Sequence, residues 1–281
     1  MSARDLAARL GLHRAGRGWR GTCPACGYRD ALIVSEGRDG APIAWCAACQ
    51  NRDAMRALLR SHGAVMSTPM GSDHPARRAE RNRARALDLW RSSKPAPGTP
   101  ADSYLTARGL PGLAASPALR YSADMPHPDG RRYPAMIAVV SDAAGAPMAI
   151  HRTFLRRDGT AKADVEPPRA TLGPILGGAV RLNPVAAEMV VGEGIETSEA
   201  AGRLIGLPAW AAISAGNLAC GVVLPAVVRS VSIAVDTDPP GRDAAHAAWC
   251  RWRAEGRHVR FAMPDRDGID MADVLVAREA V

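Results

Sequence analysis

Apolar residues in the last third of the chain come in short blocks that stop at acids. Met189-Val-Val-Gly192 runs into Glu193, and Val231-Ser-Ile-Ala-Val235 runs into Asp236. Short, β-branched, nearly unbroken runs of this kind read as strands buried on both faces, as in a parallel sheet. Between and after them the spacing changes to the helical period. The segment therefore reads as strand 189–192, helix 196–206, strand 209–213, strand 231–235, helix 241–255, strand 258–262 and helix 270–278. Ala245, Ala248, Trp249 and Trp252 form the apolar stripe of the helix after Asp238, where core packing is the expected role. Upstream, 133–140 and 147–155 are apolar runs separated by a turn at 142–146, which predicts an antiparallel hairpin followed by a basic loop, 156–162.

Toward the N-terminus the pattern is finer grained. A short amphipathic helix is expected over 3–12, with Leu6 and Leu10 on one side, then strands 31–35 and 41–45 around a turn at 38–40. Helix 53–59 would pack Met55, Leu58 and Leu59. Residues 61–76 lose periodicity and gain Gly, Pro, Ser and Thr, as linkers do. A helix begins near Pro75 and carries Arg77, Arg78, Arg81, Arg83 and Arg85 ahead of Leu87, Leu89 and Trp90; the Pro-rich stretch 92–102 reads as a second linker. Four segments result: 1–62, 63–102, 103–180 and 181–281.

A chain of 281 residues has room for a sizeable core and roughly two domains. Its apolar runs are too short and interrupted to span a bilayer, and Met1-Ser-Ala-Arg-Asp5 lacks a signal-peptide core, so a cytoplasmic protein without a membrane partner is expected. The net charge of +8 is uneven. Residues 1–100 hold 17 Lys and Arg against 8 Asp and Glu, while residues 101–281 hold 19 against 20. A basic third joined to a balanced remainder suits a module that grips nucleic acid, with affinity that falls as salt rises. The same arginines could equally form a solvated helix face. If Arg77, Arg78 and Arg81 meet DNA, they meet phosphate and read no sequence.

Two candidate metal centres follow from residue types and spacing. Cys23-Pro-Ala-Cys26 and Cys46-Ala-Ala-Cys49 form two C-x2-C pairs, the spacing of a structural Zn²⁺ site in which four thiolates close a tetrahedron. Disulfides are the alternative, disfavoured in a chain without a secretion signal. Cys220 and Cys250 lack ligand spacing and are expected to be buried apolar residues. The second centre is acidic. In open α/β sheets chemistry gathers where strands end at their carboxyl side. Glu193, Asp236 and Asp238 brought there would repel one another unless a hard divalent cation, Mg²⁺ or Mn²⁺, held them. Taken singly, Glu196-Thr197 could be first-turn residues complementing a helix dipole, and Asp236-Thr-Asp-Pro-Pro-Gly241 could be a turn.

In order, Glu193-Gly-Ile-Glu196-Thr197, then Asp236-Thr-Asp238-Pro-Pro-Gly-Arg-Asp243, then Gly268-Ile-Asp270-Met-Ala-Asp273 resemble the Toprim domain, and most closely the version in primases of plasmids, prophages and other mobile elements. The resemblance covers roughly residues 180–278. It implies an α/β Toprim fold, Rossmann-like with a mostly parallel sheet, an α+β accessory subdomain and a small N-terminal zinc ribbon. It also implies Mg²⁺ on Asp236 and Asp238, with Glu193 in acid/base chemistry or metal binding. Asp270 and Asp273 match late acidic positions of the pattern and could reach metal through water or cap the last helix. The cysteine pairs, with Gly21-Thr-Cys-Pro24 and Trp45-Cys46, are similar to the ribbon that precedes Toprim in primases, although many of those use three cysteines and a histidine. Ser103-Tyr104-Leu-Thr-Ala-Arg108 resembles the start of the accessory part, a region placed beside the Toprim sheet. His151, Arg152 and Lys162 are thereby candidates for phosphate contact.

The function implied is a DNA primase, a nucleotidyltransferase that makes short primers on a single-stranded DNA template from nucleoside triphosphates. A Toprim nuclease would use the same acids to activate water. A non-catalytic DNA-binding replication accessory protein is the reading from another class. No G-x4-G-K-[ST] loop occurs, so a replicative helicase would be a separate partner.

Overall fold

The computed structural model describes residues 1–281 apart from 17, 26, 28, 38–39, 47–51, 64–74, 267 and 280–281. Helix α1 (Ala3–Arg9) opens the chain with a reciprocal cap: Ser2 Oγ accepts from the Asp5 amide and Asp5 Oδ2 from the Ser2 amide. Such a cap satisfies two amides that the first turn leaves without partners. The helix lays Ala3, Leu6 and Ala7 on an antiparallel sheet of β1 (His13–Ala15), β2 (Gly18–Gly21), β3 (Leu32–Glu36) and β4 (Pro42–Cys46). The two strands expected from the sequence are β3 and β4, paired with Leu32 opposite Cys46. Helix α2 (Arg52–Ser61) closes the same small core with Met55 and Leu59.

Helix α3 (Pro75–Ser92) starts where its proline predicts, since proline at the start of a helix loses no hydrogen bond. Ala86, Leu89 and Trp90 face a second sheet, and Arg77, Arg78 and Arg81 are exposed. The stretch read as a second linker is more ordered than expected. It contains β5 (Lys94–Pro95) and the start of α4 (Pro100–Ala107), for which Thr99 supplies the N-cap oxygen to the Ala101 amide. The antiparallel sheet continues with β6 (Leu119–Pro126), β7 (Arg132–Ser141), β8 (Pro147–Phe154) and β9 (Arg169–Leu172). Strands β7 and β8 are the expected hairpin. Their stretches 135–140 and 149–150 are apolar because both faces are covered: Ala135, Ile137 and Ile150 look toward α3, whereas Met136, Ala138, Val140 and Ala149 join the core shared with the C-terminal unit.

That unit is a mixed sheet. β10 (Val180–Arg181) is antiparallel at one edge, followed by parallel β12 (Ala209–Ala211), β11 (Glu188–Gly192), β13 (Ser230–Ala234) and β14 (His258–Ala262) at the other. Helices α5 (Ile195–Ile205) and α8 (Met271–Glu279) pack with Val190 and Ala234 on one face. Helices α6 (Ala215–Cys220) and α7 (Pro239–Ala254) pack with Met189, Val191, Val231 and Ile233 on the other. Alternation along each strand sends successive residues into the two cores, so the runs are apolar on both faces apart from buried Ser232, whose hydroxyl accepts from Arg260 Nε at 2.6 Å. Trp252, Ala245 and Ala248 are buried as the stripe predicts and Trp249 is half-buried. Cys220 and Cys250 contradict expectation. Both are exposed, because they fall on the outer sides of α6 and α7. Among the described residues no helix is long and apolar enough to cross a membrane.

Candidate active site

Register brings the acids together. Gly192 at the end of β11 lies opposite Ala234 at the end of β13, so Glu193 and Asp236 leave adjacent strands at nearly the same height on the carboxyl edge. The approach is tight enough to demand glycine. A Cβ on Gly192 would lie 2.7 Å from Ser198 Oγ and 2.9 Å from Ala234 Cβ. Past β13, the Val235 amide still donates to Ala262 O, carrying the strand as far as the first aspartate. Asp238 then caps α7, its Oδ1 accepting from the Gly241 amide at 2.8 Å. Gly241 is fixed by the same crowding, since a Cβ there would meet Asp236 O at 2.6 Å and Asp238 Oδ1 at 2.7 Å.

The electrostatics show that these carboxyl groups feel one another. Burial, followed by the charge of Asp236, pushes the half-buried Glu193 up to about 7; Arg169 opposes the rise and Asp238 adds to it. Asp236 is also raised, by burial first and by Asp238 and Asp270 besides, while the Thr197 hydroxyl donates to it and pulls the other way. Carboxyl groups that resist ionisation side by side are short of positive charge. Asp270 N and Asp273 N exchange hydrogen bonds with each other's carboxylates at 3.0 and 2.9 Å, the reciprocal cap that starts α8.

Beside the acids stands a basic wall contributed by the middle sheet and α4. Arg108 Nη2 donates to Asp270 Oδ2 at 2.8 Å. Tyr104 Oη donates to Glu196 Oε1 at 2.5 Å, and Lys162 Nζ lies 3.9 Å from the same oxygen. Burial alone would raise Glu196, but Lys162 and the Tyr104 hydroxyl hold it below the ordinary carboxylate range. Burial lowers Lys162. His151 is pushed down to about 3 by burial and by Arg169, so it is neutral, and its Nδ1 is buried without a hydrogen-bond partner.

Several sequence candidates thus meet and others lie apart. Glu193, Asp236 and Asp238 share the carboxyl edge, Lys162 and His151 gather around Glu196 of α5, and Arg169 acts on both groups. Arg152, next to His151 in the strand, points to the opposite face. Its Nη1 donates to Pro126 O at 2.7 Å and its Nη2 to Thr171 O at 3.3 Å, beneath α3. Arg77, Arg78 and Arg81 lie on α3, on that far side of the middle sheet. Cys23 and Cys46 are fully buried in the N-terminal core, and Gly27 N donates to Cys23 O at 2.7 Å in a tight turn; Cys26 and Cys49 lie outside the described residues. Arg169 was not singled out by sequence reasoning, yet it is felt by Glu193, Asp236, Glu196, His151 and Lys162 alike.

Among the described residues no three His, Cys, Asp or Glu side chains are gathered tightly enough to enclose an ion. Ca²⁺ takes six to eight oxygen ligands, and structural Zn²⁺ takes four protein ligands. Mg²⁺ keeps several waters and takes one or two carboxylates plus substrate phosphates. The acidic edge, with its raised carboxyl groups and all-oxygen donors, fits that mode. The buried pair Cys23 and Cys46, one from each C-x2-C, fits half of a thiolate Zn²⁺ site.

Residues 188–280 match the Toprim domain family, and residues 80–182 match a family described as a domain of unknown function (DUF7146). No curated protein matches the sequence. Among solved structures, the primase of Aquifex aeolicus (zinc-binding and RNA polymerase domains) is similar at 15% identity over 99% of this chain and 80% of that one, with a TM-score of 0.48. A DnaG primase catalytic domain bound to ssDNA is similar at 18% identity over 72% and 80%, also at 0.48. The primase fragment of the bacteriophage T7 primase-helicase protein is similar at 14% identity over 93% and 95%, at 0.42.

Proposed function

We propose that this chain is a primase-like nucleotidyltransferase that makes short primers on single-stranded DNA. The observation that carries the proposal is an acidic strand edge in a Toprim domain with basic residues of the middle sheet, Arg169 first among them, close enough to act on it. Carboxylates alone would suit a cation, and cations alone an anion. Together, they suit a polyanionic substrate that arrives with its metal.

Asp236 and Asp238 would hold Mg²⁺ or Mn²⁺, which when bound neutralises charge on the oxygens of the phosphoryl group being transferred. Thr197 orients Asp236 through its hydroxyl. Glu193, poised at about 7, is suited to accept the proton of a primer 3′-hydroxyl as its oxygen bonds to the α-phosphate of a nucleoside triphosphate and the α–β phosphoanhydride bond breaks, releasing pyrophosphate. Lys162 and Arg169, with Arg108 behind them, would balance the triphosphate. Neutral His151 would offer a hydrogen bond rather than a charge. Glu196 keeps Lys162 in place and is itself held by Tyr104.

The N-terminal ribbon would carry Zn²⁺ on Cys23, Cys26, Cys46 and Cys49 and engage template, offering Trp45, which is 45% exposed, as a base-stacking surface. Arg77, Arg78 and Arg81 would hold the DNA backbone. Arg152 would act through the fold. A separate helicase would supply the single strand, and a cytoplasmic setting in a mobile-element replication system fits these parts.

A de novo synthesis assay tests the reading, with labelled nucleotides and Mg²⁺ or Mn²⁺ on single-stranded DNA, comparing wild type with Glu193→Gln and Asp236→Asn. New strands that both substitutions abolish are expected. Template shortening without new strands would replace the proposal with a nuclease. DNA binding with no product in any condition would replace it with an accessory role.

A further inference from the structure

The open edge of the C-terminal sheet carries a set of rings that the active site does not use. Among the described residues strand β14 pairs with β13 alone, which makes it the edge of this sheet. Phe261 is 44% exposed, and so is Met263 just beyond the strand. Next to Phe261 lies Trp249 of α7, with ring centroids 6.4 Å apart and planes inclined by 30°. His246, one turn earlier on α7, continues the row at 6.1 Å and 20°. Trp249 is fixed in place, its Nε1 donating to Val259 O at 3.3 Å, and the Arg253 guanidinium lies over its ring at 5.6 Å.

We propose that His246, Trp249, Phe261 and Arg253 form a stacking platform for single-stranded nucleic acid outside the catalytic cleft. Three observations favour this occupant. The ring planes are inclined by 20° and 30° in one row, so an unpaired base could stack on an outer face of the exposed Phe261 or His246, a mode that tolerates any sequence because every base has a π-face. Positive charge is at hand: the exposed Arg253 guanidinium lies over the Trp249 ring and Arg242 and Arg266 are exposed on the same segments, which also carry Asp243, Asp265 and Asp267, while Glu255 is paired with Arg251 and Arg257. The row is also continuous with the site. Ala262, next to Phe261, aligns with Ala234 at the carboxyl edge, and His246 lies about 12 Å along α7 from Asp238 at the helical rise per residue. A strand entering or leaving the acidic edge would therefore meet Phe261 first and the α7 rings next.

The platform goes beyond the active-site reading and does not rest on it, because the test reads binding and not synthesis. Phe261 is the residue to change, since Trp249 contributes to the core. Full-length protein is titrated against fluorescent oligo(dT) long enough to extend past the cleft, comparing wild type, Phe261→Ala, Phe261→Trp and Arg253→Gln, with circular dichroism to verify folding. Phe261→Ala is expected to weaken binding about tenfold, the loss of one base stack. Phe261→Trp should restore it, and Arg253→Gln should weaken it and flatten its salt dependence. Unchanged oligo(dT) affinity in folded Phe261→Ala would overturn the proposal. So would loss of self-association without loss of DNA affinity, which would make the edge an interface between copies of this chain.

Discussion

Glu193→Gln should make the protein more stable at pH 8 and leave it unchanged at pH 4. In the unfolded chain the carboxyl group titrates near its ordinary value of 4.5, whereas in the fold burial and Asp236 hold it at about 7. Below pH 4.5 it is protonated in both states and contributes no difference. As pH rises from 4.5 to 7 the unfolded chain sheds the proton that the fold retains, so stability falls across this window and levels off above it. At about 1.4 kcal/mol per pH unit the full effect is about 3 kcal/mol, reduced to about 1–2 kcal/mol because water reaches part of the side chain. Glutamine keeps an oxygen for the Ala215 amide and carries no charge, so its curve should be shallower than that of wild type between pH 4.5 and 7, with the raised Asp236 still contributing. Thermal unfolding in magnesium-free buffer should show the variant about 3–6 °C above wild type at pH 8. Added Mg²⁺ should narrow the gap by stabilising the wild type, since a ligand that binds only the folded state raises its stability. A variant less stable than wild type at pH 8, or a difference that does not change with pH, would refute the reasoning.

Three further outcomes follow from other contacts. Tyr104→Phe removes a hydroxyl from the buried Glu196 and should cost about 1–3 kcal/mol in urea unfolding; an unchanged midpoint would mean the bond is not made in solution. Gly192→Ala should force α5 and β13 apart, lowering stability by about 1–3 kcal/mol and abolishing activity together, whereas wild-type unfolding and turnover would contradict the close approach. Purified protein should contain a single zinc ion, released by a thiol-modifying reagent and lost in Cys23→Ser or Cys46→Ser; zinc-free protein that folds normally would remove the metal from the ribbon.

The C-terminal unit was legible because its signals are local. A β-branched run that ends at an acid needs only a few neighbouring residues to announce itself, and β11, α5, β13, α7 and β14 lie within two residues of where periodicity puts them. That Glu193 and Asp236 leave adjacent strand ends was legible for the same reason. The basic wall was not. Arg169 opens a four-residue strand whose remaining positions are all half-buried, which leaves no alternation to read. Tyr104 meets Glu196 across 92 positions and Arg108 meets Asp270 across 162, and no local pattern encodes such pairings. Arg152 illustrates the converse. Its residue type suited phosphate contact, but the one-residue alternation of β8 puts it on the opposite face from His151. Cys220 and Cys250 were expected inside on residue type alone, while helix phase, which decides burial, puts them outside.

The central claim is that acids from two strand ends hold a hard cation for phosphoryl transfer, and Mn²⁺ binding followed by electron paramagnetic resonance tests it most directly. Wild type should bind Mn²⁺ competitively with Mg²⁺, more tightly once a nucleoside triphosphate is present, and Asp236→Asn and Asp238→Asn should each abolish that binding. Mn²⁺ bound equally well by both variants would contradict the account.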